Sequence, residues 1–410
     1  MRFAGGHILE ELRKLKILSL FDGMACGALA MQAAGIEIDK YISYEIDKYA
    51  IQTAQHNFPF IEERGDVFKA DFTEYAGFDY LIGGSPCTYW SIAQTKNRET
   101  VASGMGWELF SQYVRALHEA KPRFFLYENN KSMSAAIRAS ITETFGFEPI
   151  LINSALVSAQ NRQRLYWCGI RQADGTYKKA DIQQPADRGI LLKDILETGA
   201  IDATYYKGGT LNGEKPHQNS TRLMVADPVC VAQRGRYDES GKVFQHYEAQ
   251  PTGKTNNLTT VSKDNLIAEP LNVDGIKYCN DKNIAHICRP FGSKAKVITE
   301  NEKAPTLMAA MGTGGGNGVY YAENMKIREA TKAVPIYEVK DGFITVKGKK
   351  YPIKLVDGFY IIRKLTVREC MRLQTVPEWY EWPVSKSQAY KMLGNGWTVE
   401  VIAHLLRGLK

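Results

Sequence analysis

The sequence predicts an α/β fold with a second, smaller domain that is rich in β-strands and loops. Between residues 16 and 169, short apolar runs alternate with amphipathic stretches, which is the rhythm of βαβ units. After about residue 181, this rhythm breaks into short strand candidates separated by Gly, Asn, Asp and Lys. Helical patterns return beyond residue 363. We therefore expect a first domain over residues 1–180, a second over 181–362, and a C-terminal segment, 363–410, that returns to the first domain.

The strand candidates of the first domain predict the form of its sheet. They are short and apolar, and a helix candidate at 107–120 lies among them. The candidates are KILSLF from residue 16, KYISYE from residue 40, and residues 79–82, 123–127, 150–154 and 165–169. Apolar runs of this kind, joined by helices, predict a largely parallel, doubly wound sheet.

The C-terminal segment carries its own helix signals. Thr366 is followed three residues later by Glu369, the arrangement of a capping box, so a helix is predicted to begin there. Closer to the end, Gly394, Asn395 and Gly396 precede another helix candidate.

Composition and charge narrow the possible classes of protein. The 52 Lys and Arg residues against 45 Asp and Glu residues leave a net charge of +7, which is compatible with a polyanionic partner without requiring one. No stretch reaches the roughly 18 to 20 apolar residues of a membrane span. The first residues are acidic where a secretory leader would be basic and then apolar, so we expect a cytoplasmic location.

The seven cysteines are scattered and include no CxxC pair. This spacing predicts neither a disulfide framework nor a metal site. Any one of these cysteines is more often a small buried apolar residue than a nucleophile, so a reactive one must be identified from its neighbours.

Glycine and carboxylate residues mark three successive strand ends. The segment LSLFDGMACG, residues 18–27, runs from a strand into a turn with Gly23 and Gly27, which is how a nucleotide-like ligand is brought to a strand edge. Glu45 ends the next strand candidate and could accept ribose hydroxyls, and Asp66 ends the third. Because ligands of open α/β sheets bind at the carboxyl ends of the strands, these residues predict one cleft.

Further along, the segment GGSPC places Cys87 directly after a strand and after Pro86, where the cleft should open. A thiol at that position is available for attack, and its thiolate is the nucleophilic form. Glu128 ends the apolar run FLYE and is a candidate acid or hydrogen-bond partner. Arg162 and Arg164, two residues apart, share one face of an extended strand and can point at one anion or carbonyl.

The order of these motifs resembles that of the DNA (cytosine-5) methyltransferase family. The matching segments are LFDGMACG, YE, GDV, GGSPC, ENN, QNRQRLYW, RKLTVRECMRLQ and LGNGWTVEVIAHLL. They cover the first domain and the C-terminal segment. The resemblance implies a Rossmann-like catalytic domain that uses S-adenosylmethionine, and a smaller target recognition domain between residues 181 and 362.

The resemblance also implies roles for individual residues. The Cys87 thiolate would add to C6 of a cytosine flipped out of duplex DNA, with Glu128, Arg162 and Arg164 around the base. S-adenosylmethionine would lie against the turn that follows the first strand and against residues from the ends of later segments. These cofactor residues would be Phe21, Gly23, Glu45, Asp66, Val67, Pro86 and Asn395.

Double-stranded DNA is the partner that the resemblance implies, with no obligate protein partner. In the middle region, Arg234, Arg236 and Arg289 could contact phosphates or guanine edges, and Thr306 resembles the recognition-loop threonine of the family. The segments MACG, ENN and GNGW depart from the commoner family motifs, and Trp397 could narrow the site. The last two are similar to methyltransferases of phages and mobile elements, so no restriction partner is assumed.

Three other functions are open at this point. A tRNA cytosine-5 methyltransferase on the same scaffold would carry a Cys-Phe-Thr tripeptide, which is absent from the sequence. A catalytically silent, DNA-binding accessory protein would not need to keep all of the predicted site residues. A nucleotide-binding oxidoreductase would leave the GGSPC and QNRQR segments without a role, and its GxGxxG spacing is missing.

Overall fold

The computed structural model describes residues 14–91, 98–197, 229–237, 243–250, 252–258, 266–271, 296–299, 319–322, 336–346, 349–353, 355 and 357–409. The chain divides into two compact units. The first comprises residues 1–190 and 370–410, and the second comprises residues 191–369.

A mixed, largely parallel sheet forms the centre of the first unit. Its strands are β1 (Leu15–Leu20), β2 (Ile38–Tyr44), β3 (Ile61–Glu63), β4 (Tyr80–Gly83), β5 (Phe124–Asn130), β6 (Ile150–Asn153), β7 (Gln163–Arg171) and β8 (Tyr177–Lys179). They lie in the order β3-β2-β1-β4-β5-β7-β6, with β8 paired to β7. The first five strands of this order are parallel, which confirms the predicted α/β class.

Strand β7 is the exception to the parallel pattern. It lies between β5 and β6 and runs antiparallel to both. The chain passes from Asn153 at the end of β6 to Gln163 at the start of β7 through a short 3-10 turn. A connection without a crossover helix favours an antiparallel neighbour, because parallel strands need a longer return path.

The helices of the first unit cover the sheet with their apolar faces. They are α1 (Cys26–Ala33), α2 (Lys48–Asn57), α3 (Met105–Ala120), α4 (Ala135–Phe145), and, from the C-terminal segment, α7 (Lys386–Asn395) and α8 (Val399–Gly408). The last helix packs against α1, so the end of the chain completes the unit that its beginning starts. The core between α3, α4 and β5 is aromatic, with Tyr113, Phe125, Tyr127 and Phe145 buried in mutual ring contact.

The second unit is built on an antiparallel sheet. The strands are β9 (Val229–Tyr237), β10 (Val243–Gln250), β11 (Leu266–Leu271), β12 (Lys296–Thr299), β13 (Val319–Ala322), β14 (Ile336–Lys340), β15 (Phe343–Val346), β16 (Lys349–Pro352) and β17 (Gly358–Lys364). Seven of them form one sheet in the order β10-β9-β11-β17-β14-β15-β16, and β12 and β13 pair separately. Short helices α5 (Leu192–Ile195) and α6 (Val367–Leu373) lie near the two chain boundaries of the unit.

The capping box predicted at Thr366 is present. The Thr366 hydroxyl accepts the Glu369 backbone N–H at 3.1 Å, and the Glu369 carboxylate accepts the Thr366 backbone N–H at 2.8 Å. These two bonds satisfy orphan donors at the start of α6, as the sequence motif predicts.

Among the described residues, none of the helices combines the length and the apolar character needed to cross a membrane. Four cysteines of this described part are buried: Cys26, Cys168, Cys230 and Cys370.

Candidate active site

The turn after β1 is tightly folded. Phe21, Gly23 and Ala25 all have positive φ, at 58°, 60° and 60°. The left-handed region costs an L-residue roughly 1 to 2 kcal/mol, so the surrounding contacts must hold Phe21 and Ala25 there. One such contact is the Phe21 N–H, which donates to the Tyr44 carbonyl at 2.9 Å and extends the pairing of β1 with β2.

Glu45, at the end of β2, reaches back to this turn. Its Oε2 accepts the Gly23 N–H at 2.8 Å, and its Oε1 accepts the N–H groups of Ile46 and Asp47 at 2.8 and 2.9 Å. A carboxylate offers about four acceptor positions. Three are occupied by backbone donors, so Oε2 keeps one position for a ligand hydroxyl.

The two residues predicted at the end of β3 lie apart from this contact. Asp66 caps the 3-10 helix Val67–Lys69 by accepting the Phe68 N–H at 3.0 Å. Val67 is buried in the apolar core, and its carbonyl accepts Arg115 Nη2 at 2.9 Å. Their predicted contacts with adenine stay a prediction.

A buried network supports the turn that follows β4. The hydroxyls of Ser85 and Tyr127 are 2.6 Å apart, and Asn129 Nδ2 donates to the Ser85 carbonyl at 3.1 Å. Pro86 is exposed, and Cys87 begins the short 3-10 helix Cys87–Tyr89. The Cys87 side chain lies outside the described part of the structure, so its nucleophilic role stays a prediction.

Glu128 is held by two donors from different elements. Arg164 Nε on β7 lies 3.0 Å from Oε1, and the Trp397 indole N–H donates to Oε2 at 3.0 Å. The Arg164 and Glu128 side chains are only 10% and 12% exposed, which strengthens this ion pair. Gly84 makes room for the carboxylate, because a Cβ there would lie 2.6 Å from the Glu128 carbonyl oxygen and 3.0 Å from Oε2.

Arg162 binds the C-terminal segment. Its Nη1 and Nη2 donate to the carbonyls of Gly394 and Gly396 at 3.2 and 2.7 Å. Gln374 Nε2 donates to the carbonyls of Leu393 and Gly396 at 2.6 and 3.2 Å. The side chains of two buried residues therefore determine the path of the segment that carries Asn395 and Trp397.

These elements enclose a cavity of about 230 Å³ in the first unit. Predicted cofactor and catalytic residues line it together: Phe21, Gly23, Glu45, Pro86, Glu128, Arg162, Arg164 and Asn395. Asp66 and Val67 are not part of this lining. Cys26 also lines the cavity, but burial raises the pKa of its thiol to about 12, so it is protonated at neutral pH and a poor nucleophile.

A family model described as C-5 cytosine-specific DNA methylase matches residues 15–410. The chain belongs to this family. The match includes both the first unit and the region that contains the second. Family membership indicates DNA cytosine-5 methyltransferase activity and implies a methyl donor.

Named relatives of this DNA methylase come from a phage and from a bacterium. The orphan methyltransferase M.SPRI of Bacillus phage SPR is 27% identical, and the alignment covers 97% of each chain. The type II methyltransferase M.HgiCI of Herpetosiphon aurantiacus is 24% identical, over 96% of this chain and 97% of the relative.

A solved structure has a similar fold. A mutant of DNMT2 from Spodoptera frugiperda superposes with a TM-score of 0.51 at 17% identity, covering 97% of this chain and 99% of the other. At that identity, the likeness extends to the fold alone.

Sequence reasoning missed two charged features of this methylase cavity. Asp22 lines it, and burial raises the pKa of Asp22 to about 6, although the Ser19 and Tyr41 hydroxyls donate to its Oδ1. Lys391 Nζ and Asp47 Oδ2, 2.7 Å apart, form an ion pair at the cavity lining. A carboxylate inside the apolar segment LSLFDG was the available signal for Asp22, whereas no local pattern marks Lys391.

The predicted DNA contacts belong to the second unit. Arg234 and Arg236 lie on β9, where they pair with His246 and Phe244 of β10. Arg289 and Thr306 lie outside the described residues, as do the side chains of Arg234 and Arg236. All four contacts stay predictions.

Proposed function

We propose that this methylase transfers a methyl group from S-adenosylmethionine to C5 of a flipped-out cytosine in duplex DNA, with Cys87 as the covalent nucleophile. The observation that carries the proposal is that one cavity brings together five of the predicted cofactor residues, the Glu128–Arg164 pair and the turn that leads to Cys87. In this arrangement, Glu45 suits a ribose and the Glu128–Arg164 pair suits a base with polar edges.

The features of the cavity fit the cofactor. Gly23 has open space where a side chain would be, with no atom within 4 Å of a Cβ built there, so a ligand can approach its backbone. Phe21 offers an aromatic ring and Glu45 an oriented carboxylate beside it. Asn395, from the C-terminal segment, also lines the cavity. When bound, S-adenosylmethionine supplies the electrophilic methyl group of a sulfonium for C5.

The residues of the chain perform the other steps. The Cys87 thiolate adds to C6 of cytosine and forms a C–S bond, which makes C5 a nucleophilic enamine carbon. Glu128 acts as the acid: it gives N3 a proton as the thiolate adds, its carboxylate then accepts hydrogen bonds from N3 and the exocyclic amine, and N3 returns the proton on elimination. Arg164 keeps this carboxylate oriented. After C5 loses its proton to a base, the C–S bond breaks and the thiolate leaves. Arg162 positions the cofactor-binding segment through the Gly394 and Gly396 carbonyls.

Duplex DNA requires two further functions. The target base must leave the stack, because C6 of a stacked cytosine is out of reach of a thiol. The second unit is the proposed target recognition domain, with Arg234, Arg236, Arg289 and Thr306 as its proposed DNA contacts. DNA as the substrate also favours a cytoplasmic location in a bacterial or phage-infected cell.

The test uses tritiated S-adenosylmethionine with unmethylated genomic duplex DNA and, separately, tRNA. Wild-type protein should label C5 of cytosine in DNA. Cys87→Ala should abolish the label, whereas Cys230→Ala, a change at a buried cysteine of the second unit, should retain most of it. Label in tRNA but not DNA would favour the RNA-methylating alternative. Binding of S-adenosylhomocysteine without label in either nucleic acid would overturn the enzymatic proposal.

A further inference from the structure

The indole of Trp397 makes a contact that the proposed reaction does not yet use. Its N–H donates to Glu128 Oε2 at 3.0 Å, while Arg164 Nε lies 3.0 Å from Oε1. Each carboxylate oxygen thus has one donor from a different element. An indole N–H can only donate, so this contact is specific for an acceptor oxygen.

The backbone on both sides of Trp397 is held firmly. The preceding carbonyl, of Gly396, accepts Arg162 Nη2 at 2.7 Å and Gln374 Nε2 at 3.2 Å. The following residue, Thr398, is buried, and its hydroxyl donates to Gln374 Oε1 at 2.8 Å and lies 2.8 Å from the Ser154 hydroxyl. A donor mounted on such a segment is preorganised, because its supporting groups are themselves fixed by hydrogen bonds.

The direction of the Glu128 carboxylate matters for the reaction. Its oxygens must face N3 and the exocyclic amine of the base, so rotation about the side chain would misdirect them. Arg164 alone constrains one oxygen and leaves that rotation possible. A second donor on the other oxygen removes this freedom, and hydrogen bonds to a charged carboxylate are among the stronger ones in proteins.

We propose that Trp397 is a positioning residue that orients the Glu128 carboxylate toward the target cytosine. This inference rests on the proposed function of the cavity. It assigns Trp397 a specific polar role in addition to that of an aromatic wall.

The first experiment compares Trp397→Phe, which keeps an aromatic ring but removes the N–H, with Trp382→Phe as a matched control. The Trp382 N–H donates to Met371 Sδ at 3.1 Å, and Trp382 does not line the cavity. With unmethylated genomic DNA, Trp397→Phe should lower kcat roughly 10- to 100-fold, the range expected when a hydrogen bond to a charged group is lost. Affinity for S-adenosylhomocysteine should change far less, and the control should retain wild-type kcat.

A second readout isolates activation of the base from methyl transfer. With DNA tritiated at C5 and no methyl donor, addition of the Cys87 thiolate to C6 lets C5 take a proton from water, lose tritium and release the thiolate. This exchange depends on Glu128 but needs no methyl donor. Trp397→Phe should slow exchange by the same factor as methylation. Unchanged exchange would overturn the inference.

A double-mutant cycle shows whether Trp397 acts through Glu128. In the Glu128→Gln background, Trp397→Phe should have little further effect on exchange. In the Arg164→Lys background, which perturbs the donor to Glu128 Oε1, its effect should be reduced. Losses that multiply fully in both cycles would assign Trp397 a purely structural role. Wild-type protein that methylates no DNA would instead overturn the proposed function.

Discussion

Gly84 shows how one missing side chain shapes the cavity. Gly84 follows β4 and lies beside Glu128 of the neighbouring strand β5. The two backbones approach so closely that only the hydrogen of a glycine fits between them. Asp22 is a polar counterpart: its carboxyl group is buried, where the charged form is destabilised by the loss of water. At the residue scale, the cavity therefore depends on close approaches and on polar groups held within apolar surroundings.

Gly84→Ala should abolish methyl transfer, because the new methyl group would displace the Glu128 backbone and carboxylate. We expect a loss of more than about 100-fold in kcat/KM with a destabilisation of roughly 1 to 3 kcal/mol. Gly146→Ala is the control: Gly146 caps α4 at φ 79° and has open space around it. This change should cost about 1 kcal/mol of stability but leave activity intact. Equal activity of both variants would contradict the assignment.

Asp22→Asn should change the pH dependence of stability. Burial raises the pKa of Asp22 from 3.8 to about 6. The protonated carboxyl therefore contributes fully to the free energy of unfolding below pH 4, and this contribution is lost as the pH rises through 6. The variant lacks this titration. Its free energy of unfolding relative to that of wild type should therefore increase by up to about 3 kcal/mol between pH 4 and pH 8.

Urea unfolding of the ligand-free protein at pH 4.5, 6 and 8 measures this difference for Asp22→Asn. Asp174→Asn, in an exposed turn where hydrogen bonds from Thr176 lower the carboxyl pKa, should show no such gain at high pH. A constant difference between wild type and Asp22→Asn across this range would contradict the raised pKa.

At the scale of elements, the cavity is assembled from the ends of several strands and one helix connection. The turn after β4 leads to Cys87, β5 carries Glu128, β7 carries Arg164, and the segment between α7 and α8 carries Trp397. The antiparallel insertion of β7 pairs Arg164 with Asn130, two residues beyond Glu128. Because residues two apart on a strand share a face, this pairing places the arginine on the same face of the sheet as the Glu128 carboxylate.

Gln374→Ala tests the clamp on the α7–α8 connection. Gln374 is buried, and its amide bonds the carbonyls of Leu393 and Gly396 and the hydroxyl of Thr398. Its loss leaves buried carbonyls without this donor, so we expect a destabilisation of about 2 kcal/mol. We also expect at least severalfold weaker binding of S-adenosylhomocysteine.

Calorimetric titration and amide hydrogen exchange over residues 393–398 measure the two effects of Gln374→Ala. The exposed Gln172, whose side-chain amide donates to the Ile170 carbonyl, provides the matched control Gln172→Ala. Wild-type affinity and exchange in Gln374→Ala would show that the connection is held by other contacts.

At the scale of the whole molecule, the first unit is discontinuous in sequence. Residues 370–410 fold with residues 1–190, and α8 buries nearly all of its apolar side chains against that unit. A fragment ending before residue 370 would lack part of its own core.

Leu406→Asp should therefore unfold the first unit, because Leu406 is 0% exposed and an unpaired buried charge costs several kcal/mol. Arg407→Asp introduces the same side chain at the next, exposed position and should fold normally. Far-UV circular dichroism and binding of S-adenosylhomocysteine distinguish the two. A folded, ligand-binding Leu406→Asp protein would show that α8 is dispensable to the unit.

The sequence by itself determined the α/β class, the capping box at Thr366 and the family. These depend on local patterns: apolar periodicity, a four-residue capping motif, and short motifs in a fixed order. Phe21, Glu45, Pro86 and Glu128 share the cavity for a related reason, because parallel strands place their carboxyl ends at one edge of the sheet.

Only the tertiary structure decided how these residues are held. The antiparallel β7, the pairing of Arg162 with the Gly394 and Gly396 carbonyls, and the donation from Trp397 to Glu128 join positions far apart in the chain. The raised pKa of Asp22 depends on burial, Val67 is absent from the cavity lining because it packs in the apolar core, and Asp66 instead caps the 3-10 helix Val67–Lys69. No local pattern encodes such contacts, because packing across the whole unit sets distance, desolvation and hydrogen-bond direction.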